Sequence, residues 1–178
     1  MTLDDLQPGL RHTERIRVGE ALAVPAQAQL FDPSTEMPPV FATAQMIAFV
    51  EWACVHALSA YLSPDQRTVG TRVEMTHSAA TPIGMMVTAE VELVEIDGRR
   101  FRFHARCRDE VETIGEGFHE RMVIDHARFM NDARPPREPP VAIRWQTLRS
   151  SNIVLRHRMA STRVILRLFA SEADVAKR

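Results

Sequence analysis

Residues 40–62 read VFATAQMIAFVEWACVHALSAYL, an apolar stretch with one acid, Glu51, near its middle. Across residues 37–64 there is no other Asp, Glu, Lys or Arg. Burying an ionised carboxylate without partners is very costly, so Glu51 must neutralise, find partners or lie at a solvated edge. A carboxylate held in an apolar cleft has the chemistry of an acid–base catalyst or a nucleophile. Ile47, Val50, Cys54, Leu58 and Tyr61 recur at intervals of three and four, which predicts a helix starting at Thr43, with Thr43 as its N-cap. Ile47 lies one turn before Glu51 and Val55 one turn after it, so the acid shares a stripe with candidate core residues.

His77 is the second candidate. In VGTRVEMTH the period is two: Val69, Val73, Met75 and His77 fall on one face, Arg72 and Glu74 on the other. A histidine on an apolar face is either a satisfied structural residue or a buried acid–base group. Gly70, inside the same run, marks a bulge or a close approach to the backbone. Other site types are missing from the sequence. There is no GxGxxG or GxxxxGK[ST] phosphate loop and no GxSxG elbow. His12, His56, His104, His119 and His126 show no metal-ligand spacing, and Cys54 and Cys107 form no CxxC, which predicts reduced core thiols and no metal.

These residues need elements to hold them. Residues 14–24, ERIRVGEALAV, predict a first strand, and the proline-rich FDPSTEMPPV predicts a loop into the helix. SPDQ ends that helix, and AATPIG is a turn after the strand that carries Gly70. Val87, Ala89, Val91 and Leu93 alternate with polar residues, and the parity slip at Val94 predicts a bulge. Asp97 and Gly98 form a hairpin signal. The return strand alternates Phe101, Phe103, Ala105 and Cys107 with basic residues, and IGEGFHERMVID predicts a last strand kinked at Gly115 and Gly117. One helix, apolar on most sides, must be wrapped by the apolar face of the sheet. The expected fold is α+β: a long central helix inside a curved antiparallel sheet.

Bulk composition fits one such core: 178 residues, 45% hydrophobic and 25% charged. The net charge of -1 predicts no nucleic-acid partner. Charge is uneven, however. Residues 135–178 carry 9 basic and 3 acidic residues, a net of +6, against a net of -7 for residues 1–134. With ARPPREPP as linker, the expected division is a domain at 1–134 and an appended extension at 135–178. Arg149, Arg156, Arg163 and Arg167 would line up on a helix as a basic stripe suited to an anionic membrane or an acidic partner. The N-terminal MTLDDLQPGL has no apolar leader segment, and Glu51, Gln45 and His56 oppose a transmembrane reading of residues 40–62. A soluble, cytoplasmic protein is expected.

VFATAQMIAFVEWACVHALSAYL, VGTRVEMTHSAATPIGMMVTAEVELVEIDGRR and IGEGFHERMVI, in that order, closely resemble the fluoroacetyl-CoA thioesterase-like family of hotdog-fold hydrolases. The resemblance runs over residues 14–130. It implies a hotdog fold, a homodimer with active sites near its interface, an acyl-CoA substrate, and hydrolysis without metal or other cofactor. It also implies site residues. Thr43 matches the threonine of the family's FAT motif, Glu51 the glutamate of VEW, and His77 the histidine of THSAATP; these are the expected catalytic residues. Gly70 matches a glycine whose N–H faces the acyl group, and Arg121, in HER, an arginine near the coenzyme A end. On this reading Thr43 hydrogen-bonds and fixes the carboxylate, and Glu51 attacks the thioester or activates water. His77 orients or activates water or protonates the departing thiolate. Fluoroacetyl-specific members carry phenylalanines in the loop before VFAT, where this sequence has Ser34 and Met37. A flexible methionine can still cover a pocket, but the aromatic lid is absent. Two alternatives remain: an acyl-thioester hydratase or dehydratase in the same fold, and a non-catalytic acyl-CoA-binding protein.

Overall fold

The computed structural model describes residues 1–32 and 34–133, all within a compact unit bounded by Met1–Pro135. The expected linker and the basic stripe of the extension lie outside the described residues.

The first strand, β1, covers Arg11–Arg17 and stops well short of residue 24. A 3-10 turn at Glu20–Leu22 and a short helix, α1, at Val24–Ala28 take the rest of that segment. Pro25, in the first turn of α1, explains part of this correction: it has no N–H to give a strand ladder, and its fixed φ suits a helix start. The long helix α2 spans Thr43–Leu58 and ends in a 3-10 turn at Ser59–Tyr61. Four strands follow: β2 at Gln66–Met75, β3 at Met86–Asp97, β4 at Arg100–Arg108 and β5 at Thr113–Asp125; a short helix α3 closes the described chain at His126–Asp132. The strands form one antiparallel sheet in the order β1-β3-β4-β5-β2, so β1 and β2 are its edges.

Periodicity explains the core. Met46, Phe49, Val50, Ala53, Cys54, Ala57 and Leu58 are the buried side of α2. They pack against Val87, Ala89, Val91 and Leu93 of β3 and Phe101, Phe103, Ala105 and Cys107 of β4. A large side chain buried this fully contributes about 1.5–3 kcal/mol, while Ala53, Ala57, Ala89 and Ala105 let helix and sheet approach closely. Burial pushes the Cys54 and Cys107 thiols up to about 12, so both stay inert core groups. The β3–β4 hairpin turns at Gly98, where φ is +55°, and the register shifts between Leu93 and Glu95, leaving Val94 exposed as the parity slip requires.

One strand departs from its expected alternation. β2 shifts register between Gly70 and Arg72, so Thr71 is an extra residue and the faces exchange beyond it. Val69, expected to share a face with Val73 and Met75, lies opposite Met122 on the other face. Val73, opposite the inward His119, is 45% exposed at the sheet edge, and His77 follows the strand instead of lying in it. Gly117 is a glycine because β2 crosses so closely that any Cβ would run into the Glu74 backbone. Among the described residues no helix is long and apolar enough to cross a membrane.

Candidate active site

Thr43 is the first helical residue of α2, and Ala42, not Thr43, occupies the cap position without a side-chain hydrogen bond. The threonine hydroxyl turns away from the helix end to His77, whose Nδ1 lies 2.8 Å from Oγ1. His77 sits just beyond β2, edge-on to Phe41, with ring centroids 6.5 Å apart. Its Nε2 is buried and has no hydrogen-bond partner. Burial pushes its pKa below the ordinary histidine value, so the ring is neutral near pH 7 and can act as a base.

Glu51 lies eight positions further along α2, about 12 Å at the helical rise. The expected contact between Thr43 and the carboxylate is therefore not made within one chain. Glu51 shares its half-buried flank with Ile47 and Val55, while the core stripe runs one position away through Met46, Val50 and Cys54. Its side chain is 43% exposed, with Oε1 3.5 Å from Arg121 Nη1 and 3.5 Å from His119 Nε2. Gly70 of β2 lies against the same oxygen. A Cβ there would collide with the Glu51 carboxylate and sit 3.1 Å from His119 Cε1, so only glycine lets strand and acid meet.

Behind Glu51 is a hydrogen-bonded network that sequence reasoning missed. Arg121 is 4% exposed. Its Nε donates to Thr68 Oγ1 at 3.0 Å, its Nη2 to the Thr68 carbonyl at 2.9 Å, and its Nη1 to His119 Nε2 at 3.0 Å. His119 Nδ1 faces the Arg72 carbonyl at 2.9 Å. A carbonyl only accepts, so Nδ1 carries the proton and Nε2 presents a lone pair to the guanidinium. His119 is thus a neutral ring in a fixed tautomer. Burial, then the Arg121 charge, push its pKa below the ordinary value. Arg121, expected near the coenzyme A end, lies deep behind Glu51 in this chain. The available signal for His119 was its strand parity with Arg121 and Val123, all turned inward on β5.

Of the other predicted residues, Met37 is 38% exposed on the loop between α1 and α2. Ser34, on the same loop, is tied to Asp32 by its hydroxyl at 2.6 Å. The structure therefore groups Thr43 with His77, and Glu51 with Gly70, His119 and Arg121. A carboxylate beside a glycine backbone and a buried cation can attack or deprotonate where negative charge develops. The His12, Glu14 and His56 side chains, which could ligate a metal, converge elsewhere.

Comparison with known proteins gives these groupings a context. The profile of the fluoroacetyl-CoA-specific thioesterase family matches residues 24–127. A fluoroacetyl-CoA thioesterase from Streptantibioticus cattleyicolor is 46% identical over 94 residues, which span 53% of this chain and 68% of the relative. A solved structure of the fluoroacetyl-CoA thioesterase FlK superposes with a TM-score of 0.70 at 37% identity, covering 74% of this chain and 100% of that one. A thioesterase-superfamily protein of Thermus thermophilus has the same fold, with a TM-score of 0.65 at 22% identity over 72% of this chain and 91% of its own.

Proposed function

The chain belongs to the fluoroacetyl-CoA-specific thioesterase family, and from that premise we propose that it hydrolyses a small acyl-CoA thioester to the free acid and coenzyme A. The observation that carries this reading is the Glu51 carboxylate standing against Gly70, with the buried Arg121 charge behind it. A thioester carbonyl beside Gly70 would direct its developing oxyanion to the backbone N–H. Glu51 then either attacks the carbonyl carbon, forming a C–O bond as the C–S bond breaks, or takes a proton from the water that attacks it. In the first case water hydrolyses the resulting anhydride. In either route the neutral His77 ring accepts a proton that comes from the attacking water and passes it to the departing thiolate. The proposed reaction uses no cofactor.

The two groupings belong to one site in a homodimer. Ile47 is midway between Thr43 and Glu51 on α2. Two antiparallel copies of α2 related by a two-fold axis at Ile47 would set Thr43 and His77 of one chain opposite Glu51 of the partner subunit. Supporting this are the edge position of β2 and the exposure of Val73 and Trp52, at 45% and 58%. The expected cytoplasmic location belongs to the same proposal.

Thiol release over a panel of acyl-CoAs, beside the size of the protein in solution, tests the reading. Release of coenzyme A with saturation kinetics from a dimer is expected. Binding of acyl-CoA without thiol release overturns hydrolysis in favour of a binding protein, and hydration of an enoyl-CoA at intact thioester favours a hydratase.

A further inference from the structure

Three residues that the proposed reaction does not use converge where β1 meets the end of α2. His12 and Glu14 are two apart on β1 and so share one strand face, the half-buried one. His56 is in the last turn of α2. His12 Nε2 lies 2.8 Å from Glu14 Oε1, and His56 Nδ1 closes on that same oxygen. One ligand atom from each residue lies within 4.8 Å of the other two. The side chains are 32%, 27% and 38% exposed for His12, Glu14 and His56, and the Trp52 ring sits against His56 with centroids 4.9 Å apart.

We propose that His12 Nε2, Glu14 Oε1 and His56 Nδ1 form a binding site for a divalent transition metal ion of the zinc class, joining β1 to α2. Two imidazoles and one carboxylate select zinc and its first-row neighbours over magnesium and calcium, which take all-oxygen shells. Zinc bonds of about 2.0–2.2 Å put neighbouring ligand atoms roughly 3.3–3.5 Å apart in a tetrahedron. The three atoms are already gathered to about that scale, so a modest opening of the cluster admits the ion. Both ring nitrogens point at one carboxylate oxygen, which is the convergence a shared cation would use. The donors stand on a strand and a helix, whose backbones hold them in register. Half-exposure leaves a fourth position for water. His56 is five residues from Glu51, about 140° around the helix, so the ion would stabilise the sheet–helix junction and take no part in hydrolysis.

The test uses the full chain without an affinity tag, stripped by chelator and titrated with Zn2+ in a calorimeter. One equivalent per chain is expected, at a micromolar or tighter dissociation constant, with a rise in melting temperature. Glu14→Gln and His56→Ala should each weaken binding by at least about tenfold. His104→Ala, which alters a second histidine–glutamate pair that also holds Arg106, should leave it unchanged. Glu14→Gln preserves side-chain shape, and melting without metal establishes that it folds. Co2+ supplies an independent readout: visible absorption bands in the wild type that change in Glu14→Gln. No saturable Zn2+ binding to the stripped wild type, or binding that persists undiminished in both variants, overturns the proposal.

Discussion

Glu51 Oε1 lies 3.5 Å from the Arg121 guanidinium, and among the described residues no other carboxylate is within ion-pair distance of that buried group. The acid in the apolar helix is thus the counter-charge of a cation on β5. An Arg121 charge without it would be buried and uncompensated, which proteins avoid. The pair also holds the Glu51 carboxylate against Gly70.

Glu51→Gln preserves the shape of the side chain and removes its charge. Thioester hydrolysis should fall by at least about 10²-fold, the scale of losing an acid–base group. Stability should drop as well, because the buried Arg121 loses its counter-charge, but by less than the about 3–5 kcal/mol of a fully buried pair, since the half-exposed carboxylate is screened. Turnover measured well below the melting temperature separates the two effects. Near-wild-type activity in the folded variant rules out a chemical role for Glu51.

Thr43 and His77 share one hydrogen bond, so their losses should not add. His77→Ala should lower turnover by about 10²–10⁴-fold, and the double change Thr43→Ala, His77→Ala should be little worse. Thr43 is exposed and His77 lies outside the strand ladder, so melting temperature should move little. Activity and melting temperature lost in parallel would mark the pair as structural.

His119 makes stability depend on pH. Its folded pKa lies below the ordinary histidine value, because burial and Arg121 oppose a second positive charge. The unfolded state therefore binds more protons in the window between the folded pKa and about 6.5. The contribution is fully present above about pH 6.5 and is lost as pH falls through the folded pKa. Melting temperature followed from pH 8 to pH 5 should fall more steeply for the wild type than for His119→Asn. Identical slopes would show that the neutral ring is not what the fold selects.

Met37 stands in the loop before α2 and is partly exposed. Met37→Phe supplies one rigid aromatic group where this sequence has a flexible thioether. The ratio of kcat/KM for fluoroacetyl-CoA over acetyl-CoA should rise, by up to about tenfold for one pocket contact. An unchanged ratio would remove residue 37 from acyl selection.

Much of the fold is legible in the sequence because it is written in local periods. The alternation through Val87, Val91, Phe101 and Phe103, the Asp97 and Gly98 turn and the slip at Val94 each depend on neighbours a few residues away. The start of α2 at Thr43 is equally local. Reading fails where local signals compete. Residues 14–24 are apolar enough for a strand, yet Pro25 and the turn at Glu20–Leu22 end it early. In β2 one extra residue at Thr71 exchanges the two faces, and nothing in the run marks that exchange except Gly70.

The sequence by itself determines that Glu51 is anomalous: one charge in an apolar helix is a conflict that composition alone exposes. What resolves the conflict is decided only by the tertiary structure. Arg121 and Gly70 reach Glu51 from β5 and β2, and the bulge in β2 accompanies the turn of the Arg72 carbonyl toward His119. The separation of Thr43 from Glu51 follows from helix rise, but the partnership of Thr43 with His77 depends on where β2 ends. His12 and His56 show no ligand spacing along the chain, yet they meet on Glu14 because β1 is paired to the edge of the sheet beside the end of α2. Side-chain periodicity fixes which face of an element is apolar; which polar groups meet across that face depends on strand order and register, and those are set by the packing of the whole core.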